Sequence, residues 1–197
     1  MAESSFQLEV KPDQKYTYAD YLTWPEDERW EIIDGKAYAQ AAPSWRHQSI
    51  STELTTQFQF YFRDKPCRVL AAPFDVFLDE QKKKAKEKNT VVQPDLVVIC
   101  EEEKLKDDGY HGAPTIVVEI VSPSTNKKDR LIKLNRYEKA GVKEYWLVSV
   151  EGKFAEVMLL GEDGRYGRPL GYSEEECIKG ASFPELSIDL KKVFAKV

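Results

Sequence analysis

The chain has 197 residues, of which 42% are hydrophobic and 32% charged, and its formal net charge is −5. This length and composition fit one water-soluble globular domain whose core needs neither disulfides nor a structural metal. No apolar run approaches the roughly 18 residues of a membrane span, and the net negative charge argues against a protein that coats nucleic acid over its whole surface.

The amino-terminal segment and the cysteines predict an intracellular protein. MAESSFQLEVKPDQKY lacks the basic flank and apolar core of a secretory signal, so we expect a cytoplasmic location. The three cysteines, Cys67, Cys100 and Cys177, contain no CxxC pair. This favours reduced thiols in apolar strands over a disulfide framework or a zinc site.

The first elements are a short helix and a hairpin. Thr17 and Asp20 are spaced as a reciprocal helix cap, and Pro25 ends that helix soon afterwards. RWEIIDGKAYAQA then predicts a β-hairpin with Asp34 and Gly35 in the turn, because this pair accepts the positive φ angles that a two-residue turn requires.

A long amphipathic helix follows in SWRHQSISTELTTQFQFYFRDK, where large apolar residues recur every four positions from Ile50 to Phe62. CRVLAAPFDVFLDE predicts a strand pair, or one bent strand, around Pro73. QKKKAKEKN, residues 81–89, is typical of an exposed loop. VVQPDLVVIC and PTIVVEIV predict strands buried on both faces.

The last part of the core contains one more helix and two strands. DRLIKLNRYEKA predicts a helix from Asp129 to Ala140 that ends at Gly141, and KEYWLVSV and KFAEVMLL predict strands joined at Glu151 and Gly152. The order of elements predicts an α/β fold with a mixed sheet flanked by helices. We expect a single domain, with a core of about residues 17–160 and a carboxyl-terminal extension over 161–197.

Two carboxylates interrupt the apolar strands: Asp95 in QPDLVVI and Glu119 in IVVEIVS. A buried carboxylate is costly unless it is neutralised, hydrogen-bonded to backbone amides, paired with a cation or bound to a metal. For a single acid the amide or lysine partner is the simpler interpretation. Two acids in neighbouring strands favour a divalent cation between them, and oxygen ligands favour Mg²⁺ or Mn²⁺.

These residues carry a family resemblance. Asp95 and Glu119 in successive strands, Glu31 upstream in WEIIDG, and the segments EIVSPST and AGVKEYW resemble the Uma2 (DUF820-type) proteins. Those proteins are a bacterial branch of the PD-(D/E)XK nuclease superfamily. The resemblance extends from about Thr17 to Leu160.

The resemblance implies a restriction-endonuclease-like core with a central mixed sheet of about four or five strands, and Mg²⁺-dependent hydrolysis of DNA phosphodiester bonds. It implies that Asp95 is the principal metal ligand, Glu119 the second ligand and Glu31 a further acidic residue of the metal site. His47, on the inward face of the long helix, is either a core histidine or a residue near the metal or phosphate.

Two positions depart from the expected pattern. Val121 occupies the position two residues after Glu119 where the superfamily has lysine. Lys133 is the candidate replacement, as base or electrostatic stabiliser, because it shares a helical face with Asp129 and Tyr137; an exposed ion pair between Asp129 and Lys133 is the alternative. The second departure, Ser149, stands where Uma2-like chains usually have aspartate.

Lys127 and Lys128, just before this helix, and Arg130, near its start, are candidate phosphate contacts. The chain has neither a GxxxxGK[ST] phosphate loop nor a nucleophile elbow, so no nucleotide cofactor is expected. The resemblance makes a homodimer plausible. The competing interpretation is a catalytically inactive nuclease-like fold that serves as a nucleic-acid-binding or assembly module.

Overall fold

The computed structural model describes residues 11, 13–78, 84–122 and 128–197, and the elements below are those of the described residues. The strands are β1 (Arg29–Ile33), β2 (Lys36–Gln40), β3 (Arg68–Ala71), β4 (Val76–Phe77), β5 (Val91–Val92), β6 (Leu96–Ile99), β7 (Leu105–Lys106), β8 (Gly109–His111), β9 (Ile116–Val121), β10 (Glu144–Ser149), β11 (Phe154–Leu159), β12 (Leu170–Ser173), β13 (Cys177–Lys179) and β14 (Ser187–Asp189). The α-helices are α1 (Tyr18–Tyr21), α2 (Trp45–Phe62), α3 (Leu134–Ala140) and α4 (Leu190–Phe194).

The strands form two six-stranded sheets and a small hairpin. The central sheet has the order β12-β11-β10-β9-β6-β3, and the amino-terminal sheet has the order β2-β1-β5-β4-β8-β7. Both are mixed, because β9 and β10 pair in parallel in one and β4 and β8 in the other. The α/β class is confirmed, whereas the second sheet was not predicted.

The local signals at the amino-terminal end are confirmed. The Asp20 carboxylate accepts hydrogen bonds from the backbone N–H and the hydroxyl of Thr17, at 2.7 and 2.8 Å, which closes the predicted cap of α1. Strands β1 and β2 pair in antiparallel around Asp34 and Gly35, with φ angles of 52° and 79°. Both angles are those of a two-residue hairpin turn, and glycine adopts such a conformation without a steric penalty.

The two faces of the central sheet carry different helices. On one face, α2 buries Ile50, Leu54, Phe58 and Phe62 against the sheet, as their spacing predicted. On the other face, the residues around Tyr137 of α3 pack over a second apolar cluster. The side chains of Asp95 and Glu119 belong to this second face, because side chains alternate along a strand and these two are in phase with Val97 and Val117 of the second cluster.

The helix predicted from Asp129 begins as a π-helix over 128–133 and continues as α3. It ends at Gly141, whose left-handed φ of 89° is the predicted terminating conformation. A π-helical turn changes which side chains face inward, and such turns are frequent at functional sites. Here Asp129 and Lys133 are both buried.

The cysteine prediction was wrong for two of the three residues. Cys67 precedes β3 and Cys100 follows β6, and because these strands pair in antiparallel the two side chains meet and form a disulfide. Cys177 is free and exposed. The two cysteines are 33 residues apart and meet only because β3 and β6 pair, so their spacing in the sequence did not indicate the disulfide.

Part of the lysine-rich segment also differs from its prediction. Lys88 is only 2% exposed, and its Nζ lies 3.0 Å from Nδ1 of His111, a residue of β8. The imidazole stacks on the Phe77 ring at 4.2 Å between centroids. Residues 79–83 lie outside the described residues. No helix of the described chain is both long enough and apolar enough to cross a membrane.

Candidate active site

Asp95 and Glu119 lie opposite each other on neighbouring strands. Strands β6 and β9 pair in antiparallel with Leu96 opposite Val118, so Asp95, the residue just before β6, is opposite Glu119. Both side chains share the sheet face of Val97 and Val117, which is the face covered by α3. The expected proximity of the two acids is therefore present.

Glu119 is held from two sides by residues of the following helical segment. Its Oε1 lies 2.9 Å from Lys133 Nζ and accepts a hydrogen bond of 2.7 Å from the Tyr137 hydroxyl. Burial outweighs the opposing effect of the Lys133 ammonium and, together with the neighbouring carboxylates of Asp129, Asp95 and Glu31, raises the pKa of Glu119 to about 8. Glu119 thus accepts a proton more readily than an ordinary glutamate.

Glu31 has no exposed surface and is surrounded by donors. Its Oε1 lies 2.6 Å from Lys133 Nζ and accepts a bond of 2.9 Å from the backbone N–H of Gln93, while its Oε2 lies 2.8 Å from Lys128 Nζ. Burial alone would raise the pKa of Glu31, but the ammonium groups of Lys133 and Lys128 outweigh it and hold the pKa below its ordinary value. The ionised form of Glu31 is therefore favoured, and its carboxylate holds two lysines.

Lys133 lies at the centre of this network. Its ammonium contacts Glu31 and Glu119 and lies 3.8 Å from the Asp129 carboxylate, one helical turn earlier. Burial lowers the pKa of this lysine, but the three carboxylates reverse the effect and raise it above its ordinary value. Lys133 therefore stays protonated, which suits an electrostatic stabiliser and not a general base.

Asp95 is fixed by backbone and side chain together. Its Oδ2 accepts a hydrogen bond of 2.7 Å from the backbone N–H of Ile120, and its Oδ1 lies 3.2 Å from His47 Nε2. His47 comes from the first turn of α2, whose cap is the Ser44 hydroxyl. The long helix thus brings its histidine to the end of the strand that carries the acid.

A cavity of about 590 Å³ lies beside this network. Its lining includes both candidate metal ligands, Asp95 and Glu119, together with Lys128, Lys133 and His47. A cavity of this volume admits a whole small ligand or a segment of a polymer. The cavity therefore gives a substrate access to the buried carboxylates.

The donor set fits a cation held by two carboxylates. Among the residues that the structure describes, no group of three or more His, Cys, Asp or Glu side chains is arranged to hold a metal ion. Both oxygens of Glu31 already face lysines or an amide, so this residue holds the lysines. Asp95 and Glu119 remain, and Mg²⁺ is often bound by one or two carboxylates with water and substrate phosphate as its other ligands.

The candidate phosphate contacts and Ser149 lie in different environments. Lys128 faces the cavity and pairs with Glu31, whereas Arg130 forms an ion pair with Glu156 of β11. Lys127 lies outside the described residues. Ser149 accepts a hydrogen bond of 3.0 Å from the backbone N–H of Gly152, so it supports the β10–β11 turn.

Sequence reasoning missed Gln93. Besides binding Glu31 through its backbone, Gln93 donates from its amide to Asp75 at 2.9 Å and to Tyr21 at 3.2 Å, and it accepts from Arg29. It therefore links the amino-terminal sheet to the site. The available signal was its position two residues before Asp95, where strand alternation predicts the same face.

The fold and these residues define a nuclease-like α/β protein with paired acids on adjacent strands and a lysine that joins one of them, Glu119, to Glu31. Comparison with known proteins supports this class. Residues 18–191 match the model of the Uma2 family, described as "Putative restriction endonuclease", so the chain belongs to the Uma2 family.

The proteins that are similar to this chain include the following two. One is "Uncharacterized protein slr1290" of Synechocystis, which is 28% identical over 156 residues, 78% of each chain. The other is a crystal structure from Anabaena variabilis whose description reads "putative nuclease belonging to DUF820". It superposes with a TM-score of 0.72 at 18% identity, over 91% of this chain and 97% of the other, and so shows a shared fold.

Proposed function

We propose that the protein is a divalent-metal-dependent endonuclease that hydrolyses phosphodiester bonds in DNA, with Asp95 and Glu119 as the ligands of Mg²⁺ or Mn²⁺. The observation that carries this proposal is the position of both acids, opposite each other on neighbouring strands and in the lining of a large cavity. Carboxylates placed opposite each other repel, which contributes to the raised pKa of Glu119, and a divalent cation bound between them would relieve this repulsion. The family assignment supports the same chemistry.

Each residue of the site has a distinct part in this mechanism. When bound, the metal would polarise the phosphate and lower the pKa of a water ligand. Tyr137 and Lys133 orient the Glu119 carboxylate through its Oε1, and the Ile120 amide and His47 orient Asp95. Metal binding requires the ionised form of Glu119, so the proton that its raised pKa favours must leave first.

Lys133 replaces the lysine that is missing at Val121, but it does so as a fixed positive charge. Its ammonium borders the cavity and stays protonated, so it can stabilise the negative charge that develops on the phosphate oxygens during attack by water. Glu31 keeps this ammonium in place. Lys128, which lines the same cavity, is placed to contact a phosphate group.

One observation favours the second candidate function, an inactive module for nucleic-acid binding or assembly. Lys133 pairs with both Glu31 and Glu119, and Lys128 pairs with Glu31, so these two acids have partners without a metal. Such a network can stabilise one arrangement of a core without any catalytic use. Activity therefore decides between the two functions.

The test is cleavage of supercoiled plasmid by purified protein with Mg²⁺, with Mn²⁺ or with a chelator. Asp95→Asn and Glu119→Gln remove the proposed ligands with little change of shape. Glu144→Gln is the matched control, because Glu144 is a buried glutamate of the adjacent strand β10 that bonds instead to Trp146 and Ser182.

We expect metal-dependent nicking by the wild type and by Glu144→Gln, and its loss in both ligand variants. Absence of cleavage by the folded wild type with either metal would overturn the nuclease and favour the binding module. Cleavage that persists in both ligand variants would place the chemistry elsewhere in the molecule.

A further inference from the structure

Trp45 is exposed in a way that folding does not explain. The chain has four tryptophans. Trp24 and Trp30 pack against each other at 5.4 Å between centroids, and Trp146 is fully buried beside Phe58. Trp45 is 64% exposed, and in the part of the chain that the structure describes no aromatic ring packs against it. An exposed indole forgoes a large part of the free energy that its burial would provide.

The position of Trp45 connects it with the cavity. It is the first residue of α2, directly after Ser44 and two residues before His47, and both neighbours line the cavity. Gln48, which lies one turn further along the helix beside Trp45, lines it as well. Trp45 is not itself part of the lining, but it is the direct chain neighbour of residues that form the wall of the opening to Asp95 and Glu119.

Arg46 supplies a cation next to the indole. Its guanidinium lies 5.4 Å from the centroid of the Trp45 ring. Its ion pair with Glu151 is long, at 4.0 Å, and both side chains are about half exposed or more. Such a pair contributes little to stability, so the guanidinium can exchange this partner for a phosphate.

The depth of the site limits the form of the substrate. Glu119 is 4% exposed and Lys133 2%, so a scissile phosphate must enter the cavity to reach them. An extended single strand can enter more readily than the backbone of an intact duplex, and its unpaired bases expose aromatic faces at the rim. Stacking on aromatic side chains next to basic groups is the general way in which proteins bind single strands.

We infer that the substrate enters this cavity as single-stranded DNA, with one unpaired base stacked on the indole of Trp45 and the adjoining phosphate paired with Arg46. The inference rests on the proposed function and specifies its substrate. It makes Trp45 a positioning residue: the stacked base sets which phosphate reaches the carboxylates. No sequence preference is required, because every base offers an aromatic face.

The experiment measures binding without catalysis. Fluorescence anisotropy of a short labelled single-stranded DNA, and of the same sequence as a duplex, is recorded with chelator present for the wild type, Trp45→Ala and Trp45→Phe. Phe60→Ala is the matched control, because Phe60 is an equally exposed aromatic, at 76%, on the same helix. It lies about 22 Å further along α2, away from the cavity rim.

We expect the wild type to bind the single strand more tightly than the duplex. Trp45→Ala should weaken single-strand binding about 5- to 150-fold, the value of one stacked base. Trp45→Phe should recover most of it, and Phe60→Ala should have no effect. Equal single-strand affinity of the wild type and Trp45→Ala would overturn the inference, as would equal losses in Trp45→Phe and Trp45→Ala. Since no metal is present, these results are independent of cleavage, and a failed plasmid assay would leave them interpretable.

Discussion

Replacement of Lys133 by methionine tests the network on which the site depends. Lys133→Met keeps much of the side-chain volume and removes the ammonium that lies 2.6 Å from Glu31 and 2.9 Å from Glu119. Glu31 retains Lys128 and the Gln93 amide, but Glu119 retains only a neutral hydroxyl donor among these contacts. The variant therefore leaves buried negative charge without sufficient compensation.

The expected loss of stability is large. Removing one partner of a buried ion pair costs about 3 to 5 kcal/mol, which is a substantial part of the roughly 5 to 15 kcal/mol by which a domain is stable. The loss should be greater at about pH 9 than at about pH 6, because protonation of Glu119 at the lower pH removes the buried charge that Lys133 compensates. Adding Glu119→Gln should recover at least about 1 kcal/mol by the same reasoning.

The measurement is urea unfolding followed by circular dichroism, at both pH values, in the absence of divalent cations. Lys139→Met is the control, because Lys139 is an exposed lysine of the same helix. If Lys133→Met matched Lys139→Met within about 0.5 kcal/mol, the buried network would not have the energetic role assigned to it.

Three further results are expected. The pKa of Glu119 is raised from 4.5 to about 8 by folding, so between these pH values the folded protein binds a proton that the unfolded chain does not, and its stability falls as pH rises. The stability of Glu119→Gln relative to the wild type should therefore increase with pH in metal-free unfolding experiments. A constant difference would contradict the assigned pKa. The Cys67–Cys100 disulfide spans 33 residues, so Cys100→Ser should lower the free energy of unfolding by about 3 to 4 kcal/mol. Cys177→Ser should change it little, and adding a reducing agent to Cys100→Ser should have little further effect. Phe58→Ala should cost about 3 to 5 kcal/mol in the same assay through the cavity it leaves in the core, and a value under about 1 kcal/mol would show that the core collapses to fill it.

Local sequence signals predicted those parts of the fold that depend on local geometry. The four-residue spacing from Ile50 to Phe62 gave α2, and Asp34 with Gly35 gave the first hairpin. The positions of Asp95 and Glu119 inside apolar strands indicated that they would meet, because a buried carboxylate is costly unless it is paired, hydrogen-bonded or bound to a metal. These inferences needed only periodicity, turn chemistry and the cost of buried charge.

The parts that escaped prediction depend on contacts between distant segments. Strands β4, β5 and β7 have two residues each, too few to show an alternating pattern, so the amino-terminal sheet could not be recognised beyond its hairpin. The Cys67–Cys100 bond follows from the pairing of β3 with β6. The contacts of Lys128 and Lys133 with Glu31 likewise join segments about 100 residues apart.

Titration of Mn²⁺ into chelator-stripped protein by isothermal calorimetry tests most directly whether Asp95 and Glu119 form a metal site. We expect saturable binding to the wild type and to Glu144→Gln, and loss of that binding in Asp95→Asn and Glu119→Gln, while circular dichroism shows all four proteins folded. A folded wild type that binds no Mn²⁺, or ligand variants that bind it as the wild type does, would contradict the account.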